Sequence, residues 1–279
     1  MRTIAAILAA HVRRAETERS RAKPPNSLQA YDYCLQAVEA MASLRSPDIL
    51  EARRLLQQSL GIDPNYARSH AALARIYVAV WRNPVDRDFL NSAVLERAHD
   101  FARKAVQLDR NLPQAHAALG DVLNCNLQHD ASIAAFEKAV SLNPNYVAWA
   151  FGWALICAGH SKRAIEVVHA YMRLDPFYIP FAAWVLGYAH FMLRQYSQAL
   201  PPIRECVAQA PNWYVGHTTL APILARMGHF DEAQAEAAEV QRVAPGFTIS
   251  GFVRPLVPLK YPRDQKHFFE ALSIAGLPE

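Results

Sequence analysis

The chain is expected to be an all-α protein, an α-α superhelix of about six helix pairs closed by terminal helices. Three observations carry that expectation. Pairs ending in proline recur at Asp63-Pro64, Asn143-Pro144, Asp175-Pro176, Ala210-Pro211 and Ala244-Pro245. The intervals between those prolines are 80, 32, 35 and 34 residues, and the first divides into 46 and 34 at Asp109-Arg110, where arginine stands in the proline's place. A period near 34 is that of a stacked helix–turn–helix unit. Small residues keep a fixed register inside each period. Finally, the 279 residues are 52% hydrophobic with only 10 glycines, and alternating β-branched runs are nearly absent. That composition suits a globular helical chain.

The register is read by taking each closing proline as position 32. Position 8 then holds Gly120, Gly152, Gly187 and Ala221, while position 20 holds Ala164, Ala199 and Ala233. Phe136 and Ala139 fall at positions 24 and 27. Two antiparallel helices cross closely only where neither presents bulk. Proline stops the second helix because it lacks an N–H and disfavours helix in the residue before it. With small residues at 8 and 20, an apolar residue at 24 and proline at 32, residues 28–246 resemble the tetratricopeptide repeat (TPR) family. The resemblance implies a scaffold for binding proteins rather than an active site.

The elements follow in order. Residues 1–27 form a basic segment: Arg2, Arg13, Arg14, Arg19, Arg21 and Lys23 outweigh Glu16 and Glu18 by +4. That equals the whole-chain charge, so residues 24–279 sum to zero and lack the excess a nucleic-acid groove requires. Ile4, Ile7, Leu8, Val12 and Ala15 follow helical spacing, which reads as an amphipathic helix rather than a signal sequence. After Pro24-Pro25, Leu28 to Leu44 reads as a first helix, Ser46-Pro47-Asp48 as a turn, and Ile49 to Leu60 as the return helix. The second unit carries an insertion at about 81–93 before its return helix begins near Val94. The period stops beyond Gly246, leaving residues 247–279 as a capping segment with a helix from Arg263 to Ala275. The uncharged stretch Asn143 to Gly159 falls inside a repeat and is shorter than the ~20 residues of a membrane span.

Eleven histidines invite a metal or acid–base reading, which the register dissolves. His70, His116 and His217 all occupy position 4, and His129, His160 and His229 all sit between the two helices of a unit. Equivalent positions lie whole repeats apart, too far to share an ion. There is no HExxH, Gly-rich phosphate loop or GxSxG. Cys34, Cys125, Cys157 and Cys206 are spread singly, as small buried hydrophobes of a reducing compartment would be. No catalytic residue, cofactor site or metal site is expected, and the cytoplasm is the expected location.

In the TPR family, positions 2, 5, 9 and 12 of each first helix line an inner groove. By that resemblance the groove holds Tyr146, Trp149, Trp153 and Ile156 in one unit and Phe181, Trp184, Tyr188 and Phe191 in the next. Toward the N-terminus the same positions hold Arg68, Ala71, Arg75 and Val78, then Gln114, Ala117, Asp121 and Asn124. The groove is expected to run from basic and polar to aromatic, taking an apolar or amphipathic protein segment with an acidic flank. Burial by a terminal helix is the alternative, and the chain's own basic N-terminal helix is one candidate occupant. Intramolecular or homo-oligomeric contacts are the other form such a groove could serve.

A closer resemblance covers the whole chain. Arg2-Thr3-Ile4-Ala5-Ala6, Lys23-Pro24-Pro25, Ala30-Tyr31-Asp32-Tyr33, Asn111-Leu112-Pro113, Met172-Arg173-Leu174-Asp175-Pro176-Phe177-Tyr178 and Leu200-Pro201-Pro202-Ile203 carry it. So do Pro245-Gly246-Phe247-Thr248-Ile249 and Ala275-Gly276-Leu277-Pro278-Glu279. These are similar to the C-terminal repeat region of bacterial class III adenylate/guanylate cyclase proteins. That resemblance implies a signalling context and a chain that begins inside a linking helix, with the cyclase domain and its two metal-binding aspartates absent.

Overall fold

The computed structural model describes residues 4, 8, 11–12, 14–17, 29–41, 46–82, 90–146 and 149–279, and those described residues contain no strand. They fall into two compact units, Met1–Val147 with Leu174–Phe177, and Ala148–Arg173 with Tyr178–Glu279. The fold is the expected all-α helix-pair repeat.

In the first unit three antiparallel pairs follow one another: α1 (Ala30–Ala40) with α2 (Ser46–Ile62), α3 (Ala67–Trp81) with α4 (Ser92–Leu108), and α5 (Pro113–Cys125) with α6 (His129–Leu142). The second unit repeats the plan with α7 (Trp149–Cys157) and α8 (Ser161–Leu174), α9 (Pro180–Met192) and α10 (Tyr196–Gln209), and α11 (Tyr214–Arg226) and α12 (Phe230–Val243). A π-helical turn (Ile249–Val253) and α13 (Pro262–Ile274) complete it.

Each recurring residue type has a recurring job. The Asp or Asn before the closing position folds its side chain over the turn: Asp63, Asp109, Asn143 and Asp175 each accept, through Oδ1, from the N–H two residues on at 2.9–3.0 Å. Asp109 therefore keeps its turn although arginine replaces the proline after it. The position-8 glycines meet the position-24 side chains of the return helix. A Cβ on Gly120 would lie 2.7 Å from Phe136, one on Gly152 2.5 Å from Val168, and one on Gly187 against Ile203 and 3.0 Å from the Ala199 carbonyl oxygen. Ala98, Ala102, Ala105, Ala164 and Ala199 are fully buried where the helices touch.

One local expectation is corrected, and others fall outside the described residues. Ser46-Pro47-Asp48 is not a turn but the first turn of α2, where proline's missing N–H costs nothing. Residues 42–45 and 83–89, the ends of the expected first helix and most of the insertion, lie outside the described residues. At the insertion's edges the Leu90 N–H donates to the Trp81 carbonyl at 3.0 Å, so the two arms meet. In the N-terminal segment, Ile4, Leu8 and Val12 are helical but exposed. The contacts come instead from His11, edge-on to Phe177 at 4.9 Å, Arg14 over the same ring at 4.8 Å, and Glu16, which accepts from the Tyr31 hydroxyl. The described residues of the segment thus dock on the first unit through ring and charge contacts.

Candidate functional site

The stripe of the second unit is built from the first helices α7 and α9, whose inward positions are aromatic except for Ile156. Trp149 and Phe181 are partly exposed and stack face to face, 4.6 Å between centroids and 4° between planes. Trp213, just before α11, closes on Phe181 edge-on at 4.4 Å and on Trp184 at 5.6 Å. These three rings form a rim. Beneath them Trp153 packs on Trp184 at 4.8 Å and on Tyr188 at 5.3 Å, and the Trp184 indole N–H donates to Thr219 Oγ1 at 2.9 Å.

Trp153, Ile156, Trp184, Tyr188 and Phe191 are buried, so of the two alternatives the open trough does not extend along the whole stripe. The reason is the C-terminal segment. Phe268 of α13 lies edge-on to Tyr188 at 5.0 Å, and His267 stacks on Phe191 at 4.9 Å. The lead-in is tied down as well: the Lys260 N–H donates to the Cys157 carbonyl at 2.8 Å, and Tyr261 packs over Gly159, whose φ of +85° suits glycine. The far end returns to the π-helical turn through the Ile249 N–H to the Pro278 carbonyl oxygen at 2.8 Å and the Arg254–Glu279 ion pair at 2.7 Å. Burial drives the Tyr188 hydroxyl well above its ordinary range and leaves it without a hydrogen-bond partner.

In the first unit Arg68 is exposed and Arg75 half-buried. Asp121 and Asn124 are not available in that way. Both are buried, and Asp121 accepts from Arg82, a contact of 3.1 Å that joins α5 to the end of α3. Arg82 also donates to the Cys125 sulfur at 3.0 Å. Tyr146 is half-buried and belongs to this unit. Trp213, His267 and Phe268 were missed by the register. The first precedes its helix and the others lie beyond the last period, and only their aromatic character could have flagged them.

The histidines and cysteines do structural work. His70, His116 and His217 each bond through Nε2 to the carbonyl six residues back, at Pro64, Arg110 and Pro211, at 2.8–2.9 Å. All four cysteines are buried and stand outside any disulfide. Burial pushes the Cys125 thiol up to about 11 and the Cys206 thiol up to about 12, so neither is poised as a thiolate. Among the described residues no group of three or more His, Cys, Asp or Glu could hold a metal ion, and no helix is long and apolar enough to cross a membrane.

Helix pairs of this register, with an Asx turn at four of the closes and a glycine under three of the return helices, form a tetratricopeptide-type repeat fold. Residues 113–146, from the start of α5 to the half-buried Tyr146, match the tetratricopeptide repeat family model. Solved structures with the same fold include Pseudomonas aeruginosa PilF, at 17% identity, 80% of this chain, 96% of that chain and a TM-score of 0.51. Another is PilW, a type IV pilus biogenesis factor, at 18% identity, 81% of this chain, 96% of that one and a TM-score of 0.54. In sequence, the transcriptional regulator HilA of Salmonella typhimurium is 26% identical over 153 residues, 54% of this chain and 27% of the regulator. Putative adenylate cyclase 3 of Rhizobium meliloti is 30% identical over 127 residues, 44% of this chain and 21% of the cyclase. The chain therefore aligns with about a quarter of the length of these relatives.

Proposed function

We propose that the chain is a non-catalytic protein-interaction module that holds a partner segment against the aromatic face of its second unit. The observation that carries the reading is the partly exposed stack of Trp149 on Phe181 with Trp213 at its edge. Large aromatic rings left at a surface mark interaction sites, and tryptophan is the residue type most enriched among binding hot spots. The buried part of the stripe, Trp153, Ile156, Trp184, Tyr188 and Phe191, supports the rim and joins the binding face where α13 gives way. The ligand is an apolar or amphipathic segment. The likeness to a putative adenylate cyclase supports a cyclic-nucleotide signalling context in the cytoplasm.

The test is a paired capture from native lysate with the wild-type chain and a Trp149→Ala/Phe181→Ala variant. At roughly 2 kcal/mol per hot-spot ring, a specific partner should be lost from the variant while its thermal midpoint stays close to wild type. Identical retained proteins from both chains would remove the reading. Trp184→Ala is the contrast: being buried, it should cost ~3–5 kcal/mol of stability. A second reading, that this is a fragment or regulatory region of an adenylate/guanylate cyclase, rests on the same likeness, and cyclic nucleotide formed from ATP or GTP with divalent metal above a boiled control would overturn the non-catalytic reading.

A further inference from the structure

The N-terminal helical segment meets the first unit with a polar row and turns an apolar row outward. Residues 4, 8, 11–12 and 14–17 are helical. His11, Arg14 and Thr17, three apart, form the row against the body. His11 lies edge-on to Phe177 at 4.9 Å, Arg14 sits over the same ring at 4.8 Å, and Thr17 is buried. Ile4, Leu8 and Val12, four apart, form a second row on another face. Their exposures are 72%, 61% and 48%. Single aliphatic side chains on a surface are ordinary, whereas a row of three along one helix face marks a contact.

Charge decides what that row faces. From residue 2 to residue 23, Arg2, Arg13, Arg14, Arg19, Arg21 and Lys23 outweigh Glu16 and Glu18 by +4, while residues 24–279 sum to zero. Glu16 is engaged with the body, where it accepts from the Tyr31 hydroxyl. The stretch from Thr3 to Val12 contains no Asp, Glu, Lys or Arg, but it is far shorter than the ~20 residues of a spanning helix. It is long enough to enter an interface and too short to cross one. A second copy of the chain is a poor occupant. Three aliphatic side chains are a small part of the ~1,000 Å² that a stable protein interface buries, and pairing two such segments would bring like charges together. An anionic bilayer suits both features. Its interface takes up the apolar face of a helix lying in its plane, and its negative potential attracts each Lys or Arg near it.

We propose that this segment is a membrane-surface anchor, in which Ile4, Leu8 and Val12 enter the interface of a bilayer containing acidic phospholipid while the basic side chains of residues 2–23 bind its headgroup phosphates. Neither part suffices alone, since stable attachment takes an apolar and a basic signal together. The contacts of His11 and Arg14 with Phe177 hold the first unit to the anchored segment. The attachment does not depend on the aromatic rim of the second unit.

The test is co-flotation of the full chain with vesicles of phosphatidylcholine alone, or with about a quarter of it replaced by phosphatidylglycerol, at ~0.15 M salt. Wild type should partition at least tenfold more strongly onto the acidic vesicles. That preference should shrink at ~1 M salt, where charges are screened within about 3 Å. Ile4→Ala/Leu8→Ala/Val12→Ala keeps the charge and the helix-forming composition, and should lose at least tenfold of the partition with an unchanged thermal midpoint. Arg13→Gln/Arg19→Gln/Arg21→Gln, with the apolar row intact, should lose at least tenfold as well. Wild-type binding by either variant would overturn the proposal, and so would equal binding to both kinds of vesicle or to neither. Sedimentation of the lipid-free chain covers the remaining occupant. A dimer that the alanine substitutions convert to a monomer would assign the row to a second copy and overturn the proposal too.

Discussion

Gly187 shows how one residue sets the spacing of a helix pair. Its missing Cβ admits Ile203 from the return helix, the same relation that Gly120 has with Phe136 and Gly152 with Val168, each sixteen residues apart. Gly187→Leu should therefore force α9 from α10 and cost about 1–3 kcal/mol, read as a lower denaturant midpoint with little change in slope. The small residue at position 8 and the apolar one at 24 were legible in the sequence because both recur. So was the structural role of the position-4 histidines. The carbonyl each of them bonds was not legible, since it is fixed by the turn geometry between repeats. The Asx turn explains why aspartate or asparagine stands before the closing position at four of the repeats, and why Asp109 tolerates the loss of its proline.

At the scale of elements, two histidines of the second unit give stability opposite dependences on pH. His217 is buried, which opposes its charge. Its hydrogen bond to Glu236 at 2.6 Å and its bond to Pro211 outweigh that and raise its proton affinity above the ordinary 6.5. Its contribution, tying α11 to α12, is complete below pH 6.5 and is lost as pH rises through the folded value. His267 is shifted downward, first by burial and then by Arg194 and Arg226 against the Phe191 bond. Its neutral form is the one the fold holds, so stability is lost as pH falls below about 6.5 toward the folded value. Unfolding titrations across pH 5–8.5 should show the acid-side loss removed by His267→Gln and the alkaline-side loss removed by His217→Gln. If neither variant alters the profile, the pairing described for these two residues is wrong. The helices themselves were readable from periodicity and proline placement. The docking of α13 was not, because residues 247–279 lie beyond the last period and no repeat partner predicts where they return.

Taken as a whole molecule, the chain consists of two units of three helix pairs, and its aromatic residues concentrate in the second. Register arithmetic placed Trp149, Trp153, Phe181, Trp184, Tyr188 and Phe191 on one stripe, but spacing alone cannot say which of them water reaches. That depends on Trp213 and α13, which divide the stripe into an open rim and a closed floor. The claim on which the binding account rests is this division. The chain has five tryptophans, so labelling with 5-fluorotryptophan gives five fluorine resonances to assign by single substitution. The resonances of Trp149 and Trp213 should shift between water and deuterium oxide and broaden with a soluble paramagnet, while those of Trp153 and Trp184 should do neither. Equal response from all four would contradict a closed floor beneath an open rim.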